Sequence, residues 1–170
     1  VLDENDTPAT LHLICGMAGA GKTTLARELE QSTGCVRLSP DEWLLAIMED
    51  PDDRSEMDRL RTRVDSLQWK FAQELLAMGV DVVLEQGFWS MDDRLAYRKS
   101  AQRQGARVKL YFLEVSRDEL LRRIALRNPK LKAKALRVGP DELDTWLEWF
   151  EPPCEVEIKA YDDFELLKWE

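Results

Sequence analysis

Apolar and polar positions along the chain follow two patterns: apolar runs of strand length, and longer stretches with apolar residues at helical spacing. The first run, Leu11–Cys15, predicts a strand, followed by a glycine-rich turn and a helix from about Lys22 to Ser32. Cys35–Leu38 predicts a second short strand. Ser39, Pro40 and Glu42 together signal a helix start: a serine cap, a proline at the first helical position and a carboxylate where a capping box needs one. From about Ser55 to Met78, the residues Met57, Leu60, Val64, Leu67, Phe71, Leu75 and Met78 recur at intervals of three and four. This spacing predicts one buried stripe on a long helix that Gly79 ends.

Val80–Gln86 is nearly continuous apolar sequence, as expected of a central parallel strand covered on both faces. A helix over Ser90–Gln104, a strand over Arg107–Val115 and a helix from the capping box of Ser116 and Glu119 to Asn128 follow. A basic, irregular segment over about 128–139 reads as a lid. Pro140 then starts a helix to about Phe150, and Glu155–Ile158 reads as a fifth strand. Val1–Thr10 is polar and acidic and reads as a loose leader. Alternating strands and helices predict a parallel α/β sandwich, with residues 1–170 forming a single domain.

Composition narrows the partners. The net charge of -9 disfavours nucleic acid, whose phosphates select basic surfaces. No apolar run reaches the roughly 18 residues of a membrane helix. Cys15, Cys35 and Cys154 lack metal-like spacing and are odd in number, which predicts reduced thiols and a cytoplasmic protein.

The strongest chemical signal is Gly16-Met17-Ala18-Gly19-Ala20-Gly21-Lys22-Thr23, which matches the phosphate-binding pattern G-x-x-x-x-G-K-[ST] between a strand and a helix. Its glycines let backbone N–H groups turn inward around phosphates, and the helix that follows points its positive end at them. Gly16 to Thr24 are therefore expected to hold the phosphates of a nucleotide, which the resemblance given below implies is ATP, with Lys22 on the β- and γ-phosphates and Thr23 on Mg²⁺.

A P-loop serves switches, transporters, motors and kinases. No Asn-Lys-x-Asp segment occurs, against a GTPase switch, and no Leu-Ser-Gly-Gly-Gln segment, against a transporter. The added helical domain usual in ring-forming ATPases is also missing, and a lone P-loop domain of this length is usually a kinase. Asp41, just past the second strand, is placed either to take the proton of an acceptor hydroxyl or merely to complement a helix N-terminus. Glu85 ends an apolar strand where ligands of open α/β sheets bind, suited to Mg²⁺-bound water or to the acceptor. Phe88 and Trp89 follow and either line the acceptor pocket or pack beneath a loop. Trp43 either flanks the acceptor or joins the core. Arg122, Arg123, Arg127, Lys130, Lys132, Lys134 and Arg137 form a basic cluster. Arg123 and Arg127 share a helix face, suited to stabilising charge on a transferring phosphoryl group. His12 sits early in the first strand and reads as structural, and Trp69, Trp146 and Trp149 read as packing residues.

These segments resemble the zeta-toxin, polynucleotide-kinase and chloramphenicol-phosphotransferase branch of small P-loop kinases, catalogued broadly as AAA-type ATP-binding proteins. The resemblance runs from Leu11 to about Glu157. It is carried by the P-loop, Leu38–Trp43, Glu85–Trp89 and Leu120–Asn128. It implies a five-stranded parallel sheet in the order 2-3-1-4-5, Asp41 as catalytic base, and Arg123 with Arg127 on the nucleotide phosphates. The chain departs from the group in carrying Glu85 where many relatives end the third strand with aspartate. Three functions fit: an ATP- and Mg²⁺-dependent phosphotransferase acting on a small hydroxylated acceptor, a nucleotide-gated regulatory protein without an acceptor, and a nucleic-acid 5′-end kinase.

Overall fold

The computed structural model describes residues 7–50, 53–130 and 137–169. Their order is β1 (Thr10–Gly16), α1 (Lys22–Thr33), β2 (Val36–Leu38), α2 (Pro40–Ile47), α3 (Arg54–Ala77) and β3 (Val82–Gly87). Then come α4 (Met91–Arg103), β4 (Arg107–Val115), α5 (Arg117–Arg127), a 3₁₀ turn (Asn128–Lys130), α6 (Pro140–Trp149), α7 (Glu155–Ile158) and β5 (Asp163–Trp169). The strands form one parallel sheet in the order β2-β3-β1-β4-β5.

Alternation along the strands builds two cores. Leu11, Leu13 and Cys15 of β1, Val82 and Leu84 of β3, and Leu110 and Phe112 of β4 meet Ala72 and Leu76 of α3 and Ala101 of α4. Ile14, Val83, Tyr111 and Leu113 point the other way, onto Ala26 of α1, Leu120 and Ile124 of α5 and Leu143 of α6. A third cluster, Leu44, Met48, Met57 and Val64, locks α2 onto α3 and so fixes where Asp41 sits.

Four expectations are corrected. Glu155–Ile158 is a single helical turn rather than a strand, and the fifth strand is Asp163–Trp169, paired in unbroken register with β4 from Lys109↔Asp163 to Val115↔Trp169. Lys109 Nζ reinforces that register, 3.0 Å from both Asp163 Oδ2 and Glu165 Oε2. The stripe on α3 is also rotated. Val64, Gln68, Ala72 and Leu76 are buried, whereas Leu67, Phe71 and Met78 are exposed, because the row facing the sheet runs at steps of four and takes the small Ala72 where helix and sheet meet.

Ser39 stands at the start of α2 but its side chain makes no cap bond. Glu42 turns instead to Arg37 of β2, whose Nη2 donates to its two oxygens at 2.9 and 2.8 Å, a charged partner that outcompetes a backbone amide. The leader ends sooner than residue 10: Ala9 is buried and Thr10 opens β1, its amide donating to Asp81 Oδ1 at 2.6 Å. Most of the expected lid, including Lys132 and Lys134, lies outside the described residues. Among the described residues no helix is long and apolar enough to cross a membrane.

Candidate active site

The P-loop joins β1 to α1 at the carboxyl edge of the sheet. Gly19 and Gly21 take left-handed backbone angles, φ 82° and 106°, and a Cβ on Gly19 would stand 3.1 Å from Ile124 Cγ1 of α5. Met17 O closes the loop by accepting from Ala20 N at 3.1 Å and Lys22 Nζ at 2.9 Å. The first turn of α1 has neither a side-chain cap nor an acidic residue, so its N–H groups and dipole face outward unneutralised, as an anion site requires. Thr23 and Thr24 are exposed on that turn. Burial lowers the Lys22 pKa, while the carboxylates of Asp41 and Glu85 pull it back up. Both acids predicted from the sequence thus act on the P-loop lysine.

Asp41 lies on the first turn of α2, exposed, its Oδ1 accepting from Arg61 Nη2 of α3 at 2.9 Å. A pair this exposed is worth under about 1 kcal/mol, so the Asp41 carboxylate is readily freed from it. Glu85 is buried, and its Oε1 accepts from Arg37 Nη1 at 2.5 Å. Its Oε2 is out of solvent contact and without a hydrogen-bond partner among the described residues.

The two lid arginines are brought to the same helix face but used differently. Arg123 Nε donates to Glu119 Oε1 at 2.6 Å and its Nη1 to Ala20 O of the P-loop at 3.2 Å. Arg127 is half-buried, its Nε has no hydrogen-bond partner among the described residues, and burial lowers its pKa against the pull of Asp41. Arg123 is thus tied to the P-loop, whereas Arg127 stands in the field of Asp41.

Beside the P-loop opens a cavity of about 530 Å³, within the range of small-molecule sites. Phe88, Trp89, Tyr97 and Trp149 form its aromatic wall, and Asp65, Gln86 and Asp93 are its polar anchors. Trp89 belongs to both sites: it lines the cavity while its Nε1 donates to Gly16 O, the first P-loop residue, at 3.3 Å. Phe88 is buried at φ 46°, next to Gly87 at φ 92°. This left-handed pair turns the chain sharply off β3 and brings both residues to the cavity lining. The turn is held from behind by Arg94 of α4, whose Nη1 donates to Phe88 O at 2.8 Å and Trp89 O at 3.2 Å.

Trp43 packs against the core clusters and not in the cavity lining. His12 is buried on β1, its Nδ1 3.1 Å from the Tyr111 hydroxyl, consistent with a structural role. Trp69 and Trp146 pack on Tyr97 and Trp89, with ring centroids 4.4 and 5.4 Å apart. Trp149, expected to pack, is 62% exposed at the cavity mouth. Cys15 and Cys35 are buried and Cys154 exposed, all free thiols.

Sequence reading missed Arg61, Asp65, Asp93 and Tyr97. Asp65 stands eleven places past the start of α3 on an otherwise polar face, where nothing in the chain marks it. Asp93 alone carried a signal, since it lies in the first turn of the helix that follows the Phe88–Trp89 turn.

Residues 11–153 match the model of the AAA domain family. Curated protein sequences yield no match to the chain. Among solved structures, a candidate kinase from Chloroflexus aurantiacus superposes with TM-score 0.76 at 18% identity, covering 95% of this chain and 89% of that one. A gluconokinase from Sinorhizobium meliloti gives TM-score 0.61 at 19% identity, over 95% and 82%. The PezAT chromosomal toxin-antitoxin system of Streptococcus pneumoniae gives 0.68 at 16%, over 95% and 68%. At these identities the likeness is one of fold. The P-loop between β1 and α1, the sheet order and the family match over residues 11–153 agree: the chain belongs to the AAA domain family and has the fold of the P-loop kinases.

Proposed function

We propose that the protein is an ATP- and Mg²⁺-dependent phosphotransferase that moves the γ-phosphoryl group onto a hydroxyl of a small molecule held in the cavity beside the P-loop. The observation that carries this reading is the shared wall: the Trp89 indole bonds to Gly16 and lines the cavity, so a bound acceptor lies next to the phosphate site. A nucleotide-gated regulator needs no such cavity.

Gly16 to Thr24 cradle the triphosphate, and Lys22 neutralises its reacting end. The acceptor hydroxyl oxygen attacks the γ-phosphorus, the bond from that phosphorus to the bridging oxygen of ADP breaks, and Asp41 takes the hydroxyl proton. Arg127 faces the charge spread over the transferring group, with Arg123 holding the loop in shape. Thr23, exposed on α1, and Glu85, with its unpartnered Oε2, are the residues present to hold Mg²⁺. No group of three or more His, Cys, Asp or Glu side chains that could hold a metal stands among the described residues, which suits an ion that arrives on the nucleotide and keeps its waters. When bound, the ion neutralises charge between the β- and γ-phosphates.

The test is transfer from γ-labelled ATP into pooled hydroxylated compounds by wild type, Lys22→Ala and Asp41→Asn. Label should enter a pool with wild type only, and Asp41→Asn should retain ATP binding. Full transfer by Asp41→Asn would remove Asp41 from the mechanism, and ATP binding without labelling of any pool would favour the regulator.

A further inference from the structure

The cavity beside the P-loop has a definite charge. Asp65 and Asp93 line it, and among the described residues no lysine, arginine or histidine does. Arg94, the nearest arginine along the chain, is turned away and consumed by Glu157 and by the carbonyls of Phe88 and Trp89. Arg61 is engaged by Asp41. Asp65 and Asp93 interact with each other electrostatically, and Asp41 adds to the same field. Oδ1 of Asp65 is out of solvent contact and has no hydrogen-bond partner among the described residues. Such a carboxylate carries a desolvation cost that a ligand cation would offset.

The rest of the lining points to the same ligand. Aromatic faces attract cations through their quadrupoles, by about 0.5–2 kcal/mol each. Here four aromatic residues line the same cavity as the two carboxylates, and Trp149 is kept 62% exposed at the mouth, where burial in the core does not explain it. An aromatic cage with acidic anchors discriminates by charge. A sugar acid or a nucleic-acid end would bring its anion against Asp65 and Asp93, while a neutral polyol would donate hydrogen bonds to them but leave their charge uncompensated.

We infer that the acceptor is a cation: a hydroxylated compound bearing a protonated or quaternary amine, whose ammonium group sits between Asp65 and Asp93 against the aromatic wall. Asp41 is then left for the hydroxyl. The inference rests on the phosphotransferase reading for the cavity's being the acceptor site, but its charge preference is measurable without catalysis.

The experiment is ligand-observed saturation-transfer NMR on the full chain without nucleotide, using glucosamine and choline as cationic probes, glucose as neutral and glucuronate as anionic. Glucosamine is expected to bind about tenfold or more tightly than glucose, as one charge-assisted contact allows, and glucuronate is expected not to bind. Asp65→Asn and Asp93→Asn, which keep side-chain shape, should each cut the preference for glucosamine over glucose about tenfold. Trp149→Ala, at an exposed position that cannot disturb the core, should weaken choline several-fold. Glucose or glucuronate binding as tightly as glucosamine, no binding by either cationic probe, or a preference unmoved in both aspartate variants would overturn the inference. Labelling with γ-labelled ATP, run in parallel, separates the two readings. Cation-selective binding without transfer removes the phosphotransferase and leaves the charge preference standing. Transfer to glucose or glucuronate alone does the reverse.

Discussion

Arg94 of α4 and Glu157 of α7 form a two-pronged ion pair with almost no solvent contact, Nε to Oε1 at 2.7 Å and Nη2 to Oε2 at 2.8 Å. The remaining Nη1 of Arg94 reaches the carbonyls of Phe88 and Trp89. The pair thus anchors, from the far side, the turn that carries both aromatic rings of the cavity. Removing one partner leaves an uncompensated buried charge. Arg94→Ala or Glu157→Ala should therefore lower stability by about 3–5 kcal/mol in urea unfolding. The double variant Arg94→Met/Glu157→Leu should lose much less than the sum. A large loss in Arg94→Ala beside a small one in Glu157→Ala, with additive effects in the double variant, would mean that the carbonyl contacts, not the ion pair, hold the turn.

The unlike surroundings of the two lid arginines separate their expected effects. Arg127→Ala should reduce kcat by about 10³ or more while leaving the affinity for ATP nearly unchanged, as loss of a transition-state arginine does. Arg123→Ala breaks a contact to Ala20 O in the P-loop and should show first as weaker nucleotide binding. Single-turnover kinetics with nucleotide titration checks both. The reverse pattern would exchange the assignments.

Burial pushes the Asp65 carboxyl up to about 6; Asp41 and Asp93 add to the rise and Arg61 opposes it. A folded pKa above the unfolded value of 3.8 means that the folded state holds a proton the unfolded chain has released. Stability from this group is present at low pH, falls as pH climbs between those two values, and stays lost above them. Asp65→Asn removes the penalty. Because the side chain is partly exposed, it should gain only about 1 kcal/mol at about pH 7.5 and almost nothing near pH 4. Urea unfolding across that window decides it, and a gain independent of pH would contradict the assignment.

The same titration bears on ligand binding. A cation between Asp65 and Asp93 favours the ionised carboxylates, so glucosamine should bind more tightly as pH rises through about 6. The slope should flatten in Asp65→Asn. A pH-independent affinity in wild type would place the ammonium elsewhere.

Gly87 has φ 92°, and a Cβ there would meet Trp89 Nε1 at 2.9 Å and Gly16 O at 3.3 Å. Gly87→Ala should cost about 1–2 kcal/mol for the left-handed backbone alone. It should also push the indole off Gly16, which tryptophan fluorescence together with ATP titration would reveal. Unchanged fluorescence and affinity would show that the shared wall does not depend on this contact.

Local signals carried much of the fold and singled out part of the candidate site. The P-loop was legible because its function needs glycines, a lysine and a threonine at fixed spacing within nine consecutive residues, Gly16 to Thr24. Asp41 and Glu85 were legible because the carboxyl ends of parallel strands are where ligands gather. Asp65 and Tyr97 were not, because each lies inside a helix with no motif around it and gains meaning only when α3 and α4 come together at the cavity. Glu155–Ile158 misled for a related reason: alternating charged and apolar residues fit a strand, but Glu157 is buried only because Arg94, 63 residues earlier, needs a partner.

The sequence by itself determined the alternation of strands and helices, the phosphate cradle and the acid that follows the second strand, since each depends on residues close together in the chain. Only the tertiary structure decided which row of α3 meets the sheet, where the fifth strand lies, which of Arg123 and Arg127 bonds the P-loop, and which acidic and aromatic residues line the cavity. Those features arise where distant segments meet, and packing, burial and charge between them are set by the whole chain's geometry, which no short stretch of residues contains.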